Sequence, residues 1–519
     1  MDTNETYEGK AKTRTGVLRM VLALVSIGLE ILVIVLLVGR LARYAVWIEV
    51  LIRIMSVGLV LHICGQEKTA ALKMPWLIFI AALPIFGVVL YLLIGLNFVA
   101  IKMRRRYKSV DEKLLPLLPD NSENIRLLRE KDPSGAGIAE YIASRSGYPL
   151  WKNTDVVYYR DAADGLEAQL EALKAAEKFI FMEYHAIEDK ESWGRIEDVL
   201  AERAAAGLDV KLFYDDMGSI GFITTSFAKK VEKRGIKCCV FNPFAPGLNI
   251  FLNNRDHRKI TVIDGKVGFT GGYNLADEYF NITHPFGLWK DTGVRLEGDA
   301  VRSLTVTFLE NWHAMRDDDD DATIRSFLPD YDYAAEQSGF VQPYGDNPLD
   351  KEQVGEDVYI SMANKAEKYC YFVSPYLILP DELTYAIGMA AKRGVDVRIV
   401  TPGIPDKKLI YSATRSYYHT LVTSGVRIFE WSPGFCHCKM SVADDIMATC
   451  GTINLDYRSF YHHFENGCFI HDAAIATEIR EDIDGMIREA REVTEAYRVR
   501  ENAVQRFSET IVRLFAGLL

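Results

Sequence analysis

The strongest constraint on the fold of this chain is a residue constellation that occurs twice. His257-Arg258-Lys259 is followed by Asp264 and then by Gly271-Gly272-Tyr273-Asn274. His437-Cys438-Lys439 is followed by Asp444 and then by Gly451-Thr452-Ile453-Asn454. The offsets agree in both copies: His to Lys two, His to Asp seven, His to Asn seventeen. Residues two apart on a strand share a face. Each His and Lys therefore project together, with apolar residues such as Ile260 and Val262 packed beneath, and the Gly-x-x-Asn turn returns the Asn to them.

The surrounding sequence repeats as well. Ala175-Ala176-Glu177-Lys178-Phe179-Ile180-Phe181 corresponds to Lys365-Ala366-Glu367-Lys368-Tyr369-Cys370-Tyr371, in each case a helix end running into a buried strand. Further on, Ala206-Gly207-Leu208-Asp209-Val210-Lys211-Leu212 corresponds to Arg393-Gly394-Val395-Asp396-Val397-Arg398-Ile399, where Gly closes a helix and a second strand begins. Strand, helix and strand in the same order twice imply βαβ units. The expected architecture is α/β, with two halves related by duplication, each a mixed β-sheet flanked by helices.

A chain of 519 residues exceeds one compact core and points to two or three structural units. A formal charge of −11 argues against a protein that coats nucleic acid. The eight cysteines form neither a secreted disulfide framework nor a repeated C-x2-C zinc pattern, and free thiols fit a reducing compartment. Cys436 and Cys438 flank His437, but that histidine has a better use in the repeated motif, so no metal is expected. The run Asp317 to Asp321 reads as a solvated linker, because adjacent like charges repel and stay hydrated.

The apolar residues concentrate at the N-terminus. Met20 to Gly39 (with Glu30), Tyr44 to Cys64 (with Glu49 and Arg53) and the uncharged Trp76 to Leu96 are each long enough to span a bilayer, the third being the best candidate and the second the weakest. No small-residue cleavage pattern follows a short apolar region, so a removed signal peptide is not expected. If all three cross, Lys and Arg divide almost equally between the sides. If two cross, the tail residues Lys10, Lys12, Arg14 and Arg19 share a side with the cluster Lys102, Arg104, Arg105, Arg106 and Lys108, which favours a cytoplasmic catalytic region in a multi-pass cell-membrane protein. The C-terminal segment Phe507 to Leu519 alternates apolar and charged residues; it reads either as an amphipathic helix on the membrane or as an element packed on the catalytic part.

Two His, two Lys and two Asn suit displacement at phosphorus. One imidazole attacks and becomes phosphorylated, while the other protonates the leaving alkoxide and then deprotonates the incoming alcohol. Lysines and asparagines supply charge and hydrogen bonds to phosphoryl oxygens without a cofactor. Carboxylates, Asp264 and Asp444 among them, hold imidazoles in one tautomer. The symmetry of the repeat does not say which histidine attacks.

The paired motifs resemble those of the phospholipase D superfamily, and nearly the whole chain resembles the bacterial cardiolipin synthases within it. The likeness takes in Lys73-Met74-Pro75-Trp76, Tyr91-Leu92-Leu93-Ile94-Gly95, Glu183-Tyr184, Asn254 to Ile260, Trp289-Lys290-Asp291-Thr292, Ser374-Pro375-Tyr376, Gly434-Phe435-Cys436-His437 and Phe464-Glu465. The resemblance implies two phospholipase D-like halves (109–335 and 336–519) behind a membrane anchor (1–108), two molecules of phosphatidylglycerol as substrates, and cardiolipin plus glycerol as products. It implies catalytic roles for His257, Lys259, Asp264, His437, Lys439 and Asp444, with His257 the nucleophile and His437 the acid/base. Asn274, Asn454 and Glu465 are expected at the substrate. Glu465 and Asp291 lie where acidic partners of the histidines belong, and Glu183 is either a further inward-facing acid or a buried structural one. Gly272 stands where Ser is common in the superfamily, which removes one hydroxyl. The alternatives are a hydrolase, in which water captures the intermediate, and a transferase using another alcohol. A non-catalytic scaffold is disfavoured because no His or Lys is missing.

Overall fold

The computed structural model of the chain describes residues 46–92, 98–243, 253–499 and 503–518, with scattered helical positions between 21 and 36. Seven strands of the first half form one sheet: β1 (Thr154–Tyr159), β2 (Phe179–Tyr184), β3 (Asp209–Asp215), β4 (Lys237–Phe241), β5 (Lys259–Ile263), β6 (Val267–Gly271) and β7 (Gly293–Gly298). Their order across the sheet is β1-β7-β6-β5-β2-β3-β4. β2, β3 and β4 run parallel and the others antiparallel to their neighbours.

The second sheet repeats this plan. β8 (Phe340–Asp346), β9 (Tyr369–Val373), β10 (Asp396–Pro402), β11 (Arg427–Trp431), β12 (Met440–Ala443), β13 (Met447–Gly451) and β14 (His463–His471) are ordered β8-β14-β13-β12-β9-β10-β11, and β15 (Ala490–Glu492) extends the far edge. β9, β10 and β11 are the parallel members. Buried on both faces, β2 reads as an unbroken run, Phe-Ile-Phe-Met-Glu-Tyr, as strands in a covered parallel region do. The helices Glu191–Ala205 and Asp381–Lys392 make the first crossover of each half. Gly207 and Gly394 end them at the same left-handed φ of 96°, a conformation that a side chain resists.

One apolar core runs through both halves. It joins Phe181, Val294 and Trp312 of the first to Phe340, Ile399 and Phe464 of the second. The long helices that follow the seventh strand of each repeat serve as the glue. Val301–Met315 packs on both sheets, and Ala473–Glu489 packs on the second sheet and on β1. At the latter contact Asp482 accepts from Tyr158 Oη (2.7 Å) and Lys290 Nζ (2.9 Å). Residues 133–146 lie against the second half rather than the first, with Tyr141 hydrogen-bonded to Asp357 and the N-cap Asp132 bonded to His471.

The acidic run departs from the expected solvated linker. The Asp319 side chain is buried and pairs with Lys211, whose ammonium lies 4.4 Å from the Phe327 ring centre and 5.1 Å from that of Phe181. Asp320 caps the helix Asp321–Ser326. A buried cation inside an aromatic cluster requires a counter-charge, and one residue of the run supplies it.

At the N-terminal end, Met20 to Gly39 lies almost wholly outside the described residues. The helix Val46–Cys64 packs on Ala70–Ala82 and Pro84–Leu90 around Ile63, Ile80 and Tyr91. The uncharged stretch Trp76 to Leu96 is thus not one continuous helix: it breaks at Leu83, where Pro84 opens the next one. Among the described residues no helix is long and apolar enough to cross a membrane.

Candidate active site

The two repeats are joined through their own motif strands. Arg255-Asp256, just ahead of His257, pairs in parallel with the start of β14, and the His257 N–H donates to the Phe464 carbonyl at 2.8 Å. Reciprocally, Gly434–Cys436 ahead of His437 pairs in parallel with Leu288–Lys290, and the His437 N–H donates to the Lys290 carbonyl at 2.8 Å. Each pairing sets one histidine beside the acid of the opposite half. His257 Nδ1 lies 2.9 Å from Glu465 Oε2, and His437 Nδ1 lies 2.7 Å from Asp291 Oδ2. A carboxylate facing Nδ1 keeps the ring proton there and leaves the Nε2 lone pair for chemistry. Of the acidic candidates, Glu465 and Asp291 are therefore the ones that orient the imidazoles.

Lys259 donates to its own motif's His257 carbonyl at 2.7 Å, and Lys439 reaches the His437 carbonyl and Nδ1. All four side chains are buried. Burial, reinforced by Lys259 and Lys439, holds both imidazoles well below their usual pKa, so they are neutral at neutral pH. Burial also pushes Lys259 down to about 7, with Lys439 adding to the effect and Glu465 opposing it. The ammonium form, which attracts an anionic substrate, is present below that pKa and lost above it. kcat/KM, which reports the free enzyme, is therefore expected to fall as pH rises through about 7, whereas kcat falls only at higher pH because bound anion restores the charge. In Lys259→Arg the alkaline limb of a kcat/KM profile should flatten, since guanidinium stays charged.

The asparagines differ between halves. Asn274 Oδ1 accepts from Ala186 N at 3.2 Å and its amide donates to Tyr279 Oη at 2.8 Å. Asn454 Oδ1 is buried without a hydrogen-bond partner among the described residues. Gly272 has a local cause: a Cβ there would meet Asp291 Oδ1 at 2.1 Å. The matching Thr452 donates its hydroxyl to Glu465. The shorter Asp sits where a side chain would stand, whereas the longer Glu leaves room for one.

Asp264 and Asp444 are not brought to the histidines, which corrects the expectation placed on them. They lie at the far end of the β5–β6 and β12–β13 hairpins, five residues past the lysines, or about 17 Å along a strand. Both adopt left-handed φ (55° and 56°), which Asp tolerates. Asp264 accepts from the N–H groups of Glu177, Lys178 and Phe179 at 2.7–2.9 Å, and Asp444 from Glu367, Lys368 and Tyr369 over the same range. Each carboxylate staples the entrance of a parallel strand to the hairpin beside it. Asp264→Ala is expected to cost about 2–4 kcal/mol of stability through lost charge-assisted bonds, seen as a lower denaturation midpoint. The turnover of the remaining folded enzyme should stay within about threefold; a loss of kcat without a loss of stability would restore Asp264 to the chemistry. Glu183 is likewise structural: it accepts from Asn311 in the buried network around Arg258, and burial pushes its pKa up to about 7.

Several neighbours went unread in the sequence. Arg258 donates to the Glu465 carbonyl at 3.2 Å and the Thr307 carbonyl at 2.8 Å, so the residue inside the first motif braces the acid of the second half. Around His257 stand two further imidazoles, His185 and His463, with ring centres at 4.9 and 5.4 Å. Around His437 stand Tyr279 at 5.2 Å and Trp289 at 5.5 Å. His463 and Trp289 each precede an orienting acid by two residues, so the repeat itself held the signal for both. Among the described residues, His257, His463 and Glu465 are the group with donor atoms placed to share a metal ion, all within 4.8 Å.

The family described as "Cardiolipin synthase, PLD-like domain" matches residues 359–487, and that described as "Phospholipase_D-nuclease N-terminal" matches residues 54–95. The chain is 31% identical over 470 residues to cardiolipin synthase 2 of Bacillus anthracis, covering 89% of each. It is 30% identical over 474 residues to the cardiolipin synthase of Alkalihalophilus pseudofirmus, covering 90% of this chain and 92% of the relative. An uncharacterized protein of Streptococcus mutans is 38% identical over 463 residues and is covered in full. The crystal structure of phosphatidylserine synthase from Haemophilus influenzae aligns over 74% of this chain and 99% of its own with a TM-score of 0.55 at 13% identity, a likeness of fold.

Proposed function

The chain belongs to the cardiolipin synthase family of phospholipase D-like phosphatidyltransferases, and from that membership we propose that it joins two molecules of phosphatidylglycerol into cardiolipin and glycerol through a phosphohistidine. The observation that carries the reading is the reciprocal pairing of each motif histidine with the other half's acid. It leaves two oriented Nε2 atoms and two lysines in one buried site.

In the proposed sequence, His257 Nε2 attacks phosphorus and forms the P–N bond. The bond to the glycerol headgroup breaks, and His437, neutral in the empty site but protonated once the anionic phosphodiester is bound, gives its proton to the departing oxygen. His437, now neutral, takes the proton of an incoming phosphatidylglycerol hydroxyl, which attacks phosphorus and releases His257. Lys259 and Lys439 neutralise the phosphoryl oxygens, and Asn454 Oδ1, without a hydrogen-bond partner among the described residues, accepts from a substrate hydroxyl. The first motif histidine is taken as nucleophile by likeness to the family. The proposed units remain an anchor over 1–108 and halves over 109–335 and 336–519.

Membrane attachment is supported by apolar side chains left exposed: Leu51, Ile54 and Leu61 on the helix Val46–Cys64, and Phe507, Ile511 and Phe515 in one stripe of the C-terminal helix Ala503–Leu514 and its end. The C-terminal helix and its end pack on the helix Ala70–Ala82, the neighbour of Val46–Cys64. The basic segment Lys102 to Lys108 favours the cytoplasmic face for the catalytic part. The deciding experiment incubates the purified protein with labelled phosphatidylglycerol in vesicles. Equimolar cardiolipin and glycerol are expected; phosphatidic acid as the sole lipid product would replace the transferase with a hydrolase.

A further inference from the structure

The two sides of the site are not equivalent, and the difference lies in one repeat position. Two residues before its acid, the His437 side carries Trp289 and the His257 side carries His463. Glu465 consequently has two imidazoles on it. His257 Nδ1 is 2.9 Å from Oε2 and 3.0 Å from Oε1, and His463 Nδ1 is 3.6 Å from Oε1. His463 Nδ1 is buried and has no hydrogen-bond partner among the described residues. With zinc bonds of about 2.0–2.2 Å, neighbouring donors in a tetrahedral site stand about 3.3 Å apart. Measured to the one oxygen Oε1, the separations of 3.0 Å (His257) and 3.6 Å (His463) bracket that value, and the three donor atoms lie within 4.8 Å of one another.

We propose that His463, Glu465 and His257 form an inhibitory site for a borderline transition-metal ion such as Zn²⁺, placed on the non-reactive edge of the nucleophilic imidazole. The donor set, two imidazoles and one carboxylate, matches the preference of Zn²⁺. The mechanism of inhibition follows from the tautomer. In the active site Nδ1 keeps the ring proton and donates it in a hydrogen bond to Glu465, which leaves Nε2 with a lone pair. A metal on Nδ1 takes the lone pair of that nitrogen, so the single ring proton moves to Nε2. No proton is gained or lost, but Nε2 becomes an N–H donor and cannot attack phosphorus. The same ion occupies the carboxylate that orients the ring.

Lys259 and Lys439 oppose a dication here, which makes the site weaker than a structural zinc site and suits reversible control. Trp289 offers no ligand beside His437, so the control falls on one histidine. The nucleophilic role of His257 rests on the proposed function; the metal site does not.

The full-length protein in detergent is titrated with Zn²⁺ and, as a visible probe, with Co²⁺, in the absence of lipid. One equivalent of metal per chain is expected, with Co²⁺ d–d absorption of a nitrogen- and oxygen-ligated ion. In the presence of phosphatidylglycerol, Zn²⁺ should abolish turnover and EDTA should restore it. His463→Trp, which copies the other half, and His463→Asn should each lose the Co²⁺ absorption and raise the half-inhibitory Zn²⁺ concentration about tenfold or more, with melting temperatures verifying that they fold. A Cys436→Ala/Cys438→Ala variant should bind and be inhibited as the unaltered chain is. Unchanged binding and inhibition in both His463 variants, loss of binding in the cysteine variant, or no stoichiometric metal at all would overturn the site. Because binding is read without substrate, a chain that proved to be a hydrolase would leave this result intact.

Discussion

His257→Asn is expected to abolish phosphatidyl transfer, by about 10⁴-fold or more, and with it all covalent labelling of the protein by phosphatidylglycerol labelled at phosphorus. Four decades correspond to about 5.5 kcal/mol of transition-state stabilisation, a reasonable demand on a group that forms the reacting bond. His437→Asn should be nearly as slow in turnover, since general acid–base catalysis is worth about 10²–10⁴-fold in each direction. It should differ in one observable: a small fraction of the protein acquires label slowly and keeps it, because nothing deprotonates the acceptor alcohol. The intermediate is a phosphoramidate, so the quench must be alkaline or in detergent. Label in His257→Asn but not in His437→Asn would exchange the two roles. Label in neither, with the unaltered chain labelled, would leave the pair without a defined order, and no label anywhere would remove the covalent step.

The second large effect concerns the acids that cross between halves. Glu465→Gln and Asp291→Asn are each expected to lower kcat by about 10²–10³, because an amide facing Nδ1 no longer selects the tautomer with a free Nε2. These are positioning residues, so a pH profile distinguishes them from damage to packing: the acid limb of kcat should move when the carboxylate is neutralised. A double-mutant cycle tests the geometry directly. His257→Ala combined with Glu465→Gln should cost scarcely more than His257→Ala alone, while Glu465→Gln should add to Lys439→Ala. Thr452→Val removes the hydroxyl that Glu465 also accepts and should cost less than about tenfold. Full additivity of His257→Ala with Glu465→Gln would mean that the 2.9 Å contact does not act in catalysis.

The duplication was legible because it is written in local terms. Identical offsets around His257 and His437, and Gly closing the crossover helices at 207 and 394, follow from strand period and helix termination, both properties of short stretches of chain. The two sheets with one strand order are what those signals imply. At the membrane end Trp76 to Leu96 has the composition of a span, and Pro84 within it opens a second helix; hydropathy averaged over a window does not register such a break. Asp317 to Asp321 failed for a different reason: charge repulsion predicts exposure, but burial of Lys211 inside an aromatic cluster demanded one carboxylate from the run.

The Asp of each motif is the instructive case. Its fixed spacing from His and Lys suggested one function for all three, but a five-residue strand separates them by most of its length. Asp264 and Asp444 hold backbone N–H groups at the opposite end of a hairpin, so regular spacing here records a shared fold rather than shared chemistry.

What the sequence determined by itself is the set of reactive groups, the duplication of the two halves and which groups stand together on a strand, since a period of two residues decides which side chains share a face. What only the tertiary structure decided is which acid serves which histidine, and which side groups surround them. Those contacts join residues 208 and 146 positions apart through two short parallel ladders, Arg255-Asp256 with His463-Phe464 and Gly434–Cys436 with Leu288–Lys290. Neither ladder has a periodic signature, because each lasts only two or three residues and is held by the packing of both halves on one core.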